Sequence, residues 1–175
     1  KGVDLVAATV TRLIESGAFF IQLGSGSTEY ENMFQALRDT YPHRVGTYRG
    51  YNEPLAHAIE AGSDVFLMPS RFEPCGLNQI YSLRYGTVPV VRATGGLDDT
   101  IQHFDRSSRT GNGFKFYEYR PDRLLETMYE ALLTYRNKDY WLDVMRNGMR
   151  EDFSWNRSAL QYEHLFAEIL DRVRG

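Results

Sequence analysis

The sequence predicts an α/β domain of Rossmann type, a parallel sheet with helices on both faces, occupying residues 1–175 as a single unit. Two observations predict it. Short apolar runs alternate along the chain with stretches whose apolar residues recur at helical spacing. Twice between Asp64 and Ile101, an apolar run passes through a glycine-bearing turn into a helical pattern, the kind of junction at which parallel sheets bind ligands.

In order, Val3, Val6, Val10, Leu13 and Ile14 mark a first helix that Gly17 closes as a left-handed cap. Residues 18–23 form an apolar strand, and the Gly-Ser-Gly-Ser run at 24–27 starts a second helix faced by Met33, Phe34, Leu37 and Tyr41, which Pro42 ends. Residues 45–48 are a strand and Gly50 a turn. Asn52 is the N-cap of a short helix over 53–61, with Pro54 in its first turn. A buried strand over 64–68, a loop over 69–76 and a helix over 77–85 follow, and then a strand over 88–91 and a Gly95-Gly96 turn opening another short helix. Residues 105–112 read as a mobile polar surface loop and 113–116 as the last strand. Beyond it, Leu124, Leu125, Met128, Leu132 and Leu133 form one buried stripe, and Tyr140, Val144 and Met145 belong to a helix after the Asn137-Lys138 break. Ser154 is the N-cap of a final helix whose stripe, Leu165, Phe166, Ile169, Leu170 and Val173, is expected to pack on this domain's own core as far as Leu170.

Composition narrows the function. With 42% hydrophobic and 25% charged residues the chain is ordinary for a globular protein, and no apolar run approaches the roughly 20 residues of a membrane span. A net charge of −3 argues against nucleic acid, whose phosphates need a basic face. The single cysteine, Cys75, permits no internal disulfide and fits a reducing cytoplasm. The first residues already lie inside a helical pattern with no signal-like segment, as expected for a piece of something longer.

The chemistry concentrates in Glu73-Pro74-Cys75-Gly76. Pro74 has no N–H and Gly76 permits close approach, so the turn can present free amides at the start of the next helix, where unpaired N–H groups and the positive dipole end favour anions. Asn78 in the first turn can add a donor, and the Gly95-Gly96 turn before Leu97 offers a second set of amides. Two amide clusters and one carboxylate suit a phosphorylated, polyhydroxylated ligand. On spacing alone the plainer reading is the commoner one: two glycines that only turn the chain, and a solvated loop glutamate.

The stretch PSRFEPCGLNQIYSLRYGTVPVVRATGGLDDTI closely resembles bacterial glycogen synthases and plant starch synthases, and the likeness runs from KGVDL at the start through Tyr51 and RFEPCGL to DFSW at 152–155. The resemblance implies the C-terminal, donor-binding half of a retaining glucosyltransferase of the GT-B type, in which two Rossmann-like domains face each other across a cleft. It further implies that the sheet's first strand and the N-terminal domain precede Lys1, and that this half alone is inactive. By the same resemblance, Lys1 neutralises the donor diphosphate, and Glu73 contacts sugar hydroxyls and supports positive charge at the anomeric carbon. The backbone at Cys75, Gly76 and Leu77 holds the glucose, Asn78 lies next to the phosphates, and Tyr51 packs on the base. Gly95, Gly96 and Leu97 line the cleft.

The implied reaction moves glucose from ADP-glucose to the non-reducing end of an α-1,4-glucan without a cofactor or metal. His43, His57, His103 and His164 share no ligand spacing with one another or with Cys75. Cys75 itself reads as a small buried residue. Related transferases carry a second acid eight residues after the first, but Tyr81 stands there, which favours the glycogen and starch synthases and leaves ribose recognition unassigned. The alternatives are a UDP- or GDP-sugar transferase and a non-catalytic interaction module.

Overall fold

The computed structural model describes residues 1–174. The elements alternate as expected: α1 (Val3–Glu15), β1 (Phe20–Gly24), α2 (Thr28–Thr40), β2 (Val45–Arg49), α3 (Glu53–Ala61), β3 (Val65–Met68), α4 (Asn78–Tyr85), β4 (Val88–Arg92), α5 (Gly96–Thr100), β5 (Phe114–Phe116), α6 (Pro121–Tyr135), α7 (Lys138–Arg150) and α8 (Trp155–Arg174). Local chemistry sets several boundaries. Asn52 Oδ1 accepts from the Leu55 amide at 3.0 Å and caps α3, Asn137 Oδ1 accepts from Asp139 and Tyr140 to start α7, and Gly17 turns the chain out of α1 at φ 105°.

All strand pairing within the two sheets is parallel, in the orders β1-β2 and β3-β4-β5. β4 is central in its sheet, and its alternation builds both halves of the core. Val88 and Val90 point to one side, into a cluster with Phe104, Phe114, Phe116, Leu124, Met128, Trp141 and Val144. Val91 points to the other, against Leu83, Leu97 and Ile101. The β1-β2 sheet has its own cluster, in which Val10 and Ile14 of α1 meet Val45 and Phe20, and Phe20 stacks on Phe34 of α2 with ring centroids 5.6 Å apart.

Four expectations are corrected. The single sheet is two: among the described residues no ladder joins β1 to β3. Residues 105–112 are not a free loop. Asp105 bridges Thr110, Arg109 adopts φ 57° and pairs with Asp143 at 3.1 Å, and Asn147 Nδ2 donates to the carbonyls of Arg109 and Gly111. Leu133 is 55% exposed because the buried face of α6 runs through Leu124, Leu125, Met128 and Ala131, whose centre lies roughly 150° around the helix from it.

The α8 stripe does not pack on this core. Leu165, Phe166, Ile169, Leu170 and Val173 are all exposed, and among the described residues no core cluster contains one from α8. An amphipathic period records that a surface is to be covered and says nothing about which one.

One buried acid gives a direct test of the packing. Glu60 at the end of α3 is 3% exposed and accepts from Ser82 Oγ at 2.6 Å. Burial pushes its carboxyl above the ordinary value, against the smaller lowering by that hydrogen bond. A carboxyl raised in the folded state favours folding below its unfolded value, near 4.5, and that contribution is lost as pH rises through the folded value. Glu60→Gln is therefore expected to melt above the parent at pH 7, with the gap closing below about pH 4. A variant that melts lower at pH 7 would show the carboxylate to be net stabilising.

Candidate functional site

The site is built where β3 and β4 end. After Met68 the chain turns through Pro69 and Ser70 to Glu73, and Glu73 is folded inward, only 8% exposed. Its Oε2 accepts from Lys1 Nζ at 2.6 Å and from Ser70 Oγ at 3.3 Å. Lys1 is brought there by close backbone approach. Gly2 adopts φ 80°, and a Cβ on it would fall 2.6 Å from the Pro69 carbonyl carbon, so only glycine lets the start of α1 lie against the β3 loop. The Lys1 side chain is 73% exposed, which leaves the ammonium free to exchange partners at little cost.

Arg92 braces the same loop. It donates Nη1 to the carbonyls of Ser70 at 3.2 Å and Arg71 at 2.7 Å. The Arg71 and Arg92 guanidiniums lie 4.7 and 5.6 Å from the Tyr119 ring centre, the range of cation–π attraction. The Tyr119 hydroxyl donates to Asp4 Oδ1, which holds that carboxyl below its usual value, while burial and the acid together push the phenol up. The first turn of α1, the β3 loop and the end of β4 are thus one connected frame.

Beyond Glu73 the turn behaves as the sequence suggested. Among the described residues, none of the amides of residues 75–78 donates to a protein acceptor, and Cys75, Leu77 and Asn78 are exposed. Four consecutive unpaired N–H groups open α4 beside the acid, an arrangement suited to the oxygens of an anionic or hydroxylated ligand. Cys75, expected as buried, is exposed, because its carbonyl and not its thiol faces inward.

The Gly95-Gly96 turn does something different from what was expected. The Gly96 amide is spent on the carbonyls of Glu73 at 3.2 Å and Pro74 at 3.1 Å, and the Leu97 amide on Thr94. Among the described residues, Gly95 N alone of the expected second set lacks a protein acceptor, and the Leu97 side chain is wholly buried in the core. The turn clamps the first loop instead of offering a second nest. Tyr51 is 84% exposed, and among the described residues no hydrogen bond, ion pair or ring contact joins it to either turn.

Sequence reasoning missed Ser70, Arg92 and above all Gln79. Gln79 is fully buried, and its Nε2 donates to Cys75 O at 3.0 Å, Gly76 O at 3.1 Å and Thr100 Oγ1 at 3.3 Å. Its Oε1 is buried and has no partner among the described residues, and an unmet buried acceptor costs about 1–3 kcal/mol. The signal was available in one respect: Gln79 stands one helical turn before Leu83, a polar residue on the inward stripe of α4.

Cys75, Leu77 and Asn78 place the start of α4 at the surface. A groove of about 680 Å³ lined by His103, Tyr129 and Leu133 lies elsewhere, as does a cavity of about 80 Å³ beside Glu31 and Arg49, and neither is lined by residues 73–78. Among the described residues no helix is long and apolar enough to cross a membrane.

Comparison with known proteins matches residues 1–141 to the family described as glycosyl transferases group 1. The chain is 53% identical to a glycogen synthase of Koribacter versatilis over 100% of its own length and 36% of the relative's. It is 47% identical to glycogen synthase 1 of Geobacter sulfurreducens, again over 100% of this chain and 35% of the relative. Among solved structures, the catalytic domain of starch synthase IV from Arabidopsis thaliana, bound to ADP and acarbose, superposes with a TM-score of 0.84 at 34% identity, over 96% of this chain and 36% of that one. A sucrose-phosphate synthase from Thermosynechococcus elongatus shares the fold at 19% identity, with a TM-score of 0.69 over 98% of this chain and 43% of that one. The chain thus spans about a third of the length of the curated relatives it matches.

Proposed function

Since this chain belongs to the group 1 glycosyl transferases and has the Rossmann-like α/β fold of the C-terminal half of a GT-B enzyme, we propose that it is the donor-binding domain of a glycogen or starch synthase. In this reading the domain holds ADP-glucose while a facing domain supplies the acceptor groove. Glucose passes with retention to the 4-hydroxyl at the non-reducing end of an α-1,4-glucan. The bond from the anomeric carbon to the diphosphate breaks, a bond to the acceptor oxygen forms on the same face, and the acceptor proton goes to the departing phosphate oxygen.

The single observation that carries the reading is the pairing of a buried acid, Glu73, with unpaired amides at residues 75–78 and with the Lys1 ammonium at 2.6 Å. Glu73 supports positive charge at the anomeric carbon, and Lys1 leaves it for the diphosphate when donor arrives. The amides of Cys75, Gly76 and Leu77 hold the sugar, Asn78 adjoins the phosphates, and the free ring of Tyr51 stacks on the adenine. Gly95, Gly96 and Leu97 serve by holding the loop in place. Fixed dipoles and cations stabilise the leaving diphosphate, so the reaction needs no metal and the domain no cofactor. The compartment in this reading is the cytoplasm.

Calorimetric titration tests it. This domain alone is expected to bind ADP no tighter than about 1 mM and to extend no glucan. The protein with both halves is expected to bind ADP and ADP-glucose well ahead of UDP and to elongate maltooligosaccharides. Preference for UDP would move the assignment to a neighbouring transferase, and absence of any nucleotide binding would leave an interaction module.

A further inference from the structure

We infer that Gln79 is a positioning residue for the sugar-binding amides, acting from beneath the loop by fixing the orientation of two peptide planes. The inference rests on the proposed function for its consequences and on geometry alone for its premise. In a trans peptide, the C=O of one residue and the N–H of the next point in opposite directions from one rigid plane, and among the described residues no peptide is cis. The carbonyls of Cys75 and Gly76 both point down to the Gln79 carboxamide, at 3.0 and 3.1 Å. The N–H groups that share those planes, on Gly76 and Leu77, must therefore point up and away from the core. Neither finds a protein acceptor.

Three further features tie Gln79 to this task. Its two amide hydrogens are divided among three acceptors, the third being Thr100 Oγ1, which itself donates to Gly96 O at 2.5 Å. One buried side chain thereby links the loop to the turn that clamps it. The buried Oε1 has no partner, so the residue is satisfied only through its donors. Gly76 completes the fit: at φ 70°, a Cβ there would lie 2.5 Å from Gln79 Oε1. The carbonyls come down onto the carboxamide because residue 76 has no side chain.

The test uses Gln79→Leu, Gln79→Glu and Thr100→Val in the protein with both halves. In Gln79→Leu the two carbonyls lose their donor and the planes are free to turn. The expected result is a fall of about 100-fold in kcat, the scale of losing an aimed backbone donor, with ADP affinity within about 3-fold of the parent. Gln79→Glu places a carboxylate against two carbonyls and is expected to be as poor near pH 8. It regains turnover on acidification, as the protonated carboxyl donates again. Thr100→Val keeps both plane-fixing bonds and is expected to lose less than about 10-fold, which supplies a folded variant if Gln79→Leu does not fold.

Turnover within 3-fold of the parent in Gln79→Leu overturns the inference. So does an equal loss of ADP affinity and turnover, which would make Gln79 a general core residue. If the parent transfers no glucosyl group, the functional reading fails alone. Amide proton shifts of Gly76 and Leu77 then decide the matter: they move in Gln79→Leu if the planes are held from below, and unmoved shifts refute it.

Discussion

Replacing Glu73 with glutamine is expected to leave ADP binding nearly unchanged and to lower glucosyl transfer by about 100-fold or more, measured as kcat in the protein with both halves. The substitution is isosteric, so the side-chain oxygen can still accept from Ser70 Oγ, 3.3 Å from the parent carboxylate, and the backbone carbonyl still accepts the Gly96 amide at 3.2 Å. What disappears is one negative charge on a side chain held inward, the residue being only 8% exposed. In a partly excluded site, that charge is worth far more to a cationic anomeric carbon than it would be in water. The Lys1 pair does not confound the reading. Its ammonium is 73% exposed, so losing Glu73 frees a solvated lysine and leaves no buried orphan. Nucleotide affinity is expected to hold because the diphosphate is met by Lys1 and adjoined by Asn78, neither of which the substitution changes. Turnover unchanged in Glu73→Gln would remove the acid from the mechanism. A parallel collapse of ADP binding would make it a loop brace.

How much of this was legible in the sequence varies by the range of the interaction. Asn52 with Pro54 two residues on fixed the start of α3, because a cap and an N-terminal proline act within four residues. The free amides after Pro74 were legible for the same reason. The close approach of two glycine turns was not, since nothing local says that Gly96 meets Cys75 rather than solvent. The Gly95-Gly96 amides were therefore read as a second ligand nest, when the Gly96 amide is consumed by Glu73 and Pro74. Leu133 and the α8 stripe failed in a related way. Both were counted by hydrophobicity, and periodicity gives a face without naming its partner. Gln79 depends on long-range placement as well, since its third acceptor, Thr100 Oγ1, lies 21 residues away in the chain.

The clamp itself makes the second large prediction. A Cβ on Gly96 would fall 2.6 Å from the Cys75 carbonyl carbon and 2.7 Å from its Cα, and closer still to its oxygen. One on Gly95, where φ is 48°, would meet the Glu73 carbonyl. Every one of these neighbours is backbone, so no side chain can swing aside. Gly96→Ala must push the turns apart, which breaks the paired bonds from the Gly96 amide to Glu73 and Pro74. Overpacking of this kind costs about 3 kcal/mol, which for a domain of this size lowers Tm by roughly 6–12 °C. The loss is not confined to stability, since the displaced loop carries both the acid and the free amides. Donor affinity is expected to fall more than about 10-fold even at temperatures where the variant is folded. Gly26→Ala is the matched control, because a Cβ at Gly26 meets nothing within 4 Å and its backbone is outside the left-handed region. The two variants differ only in what lies against the new methyl. If thermal unfolding finds Gly96→Ala within a degree or so of Gly26→Ala, the two turns do not clamp one another. Glu73 would then be held by the β3 loop and Arg92 alone.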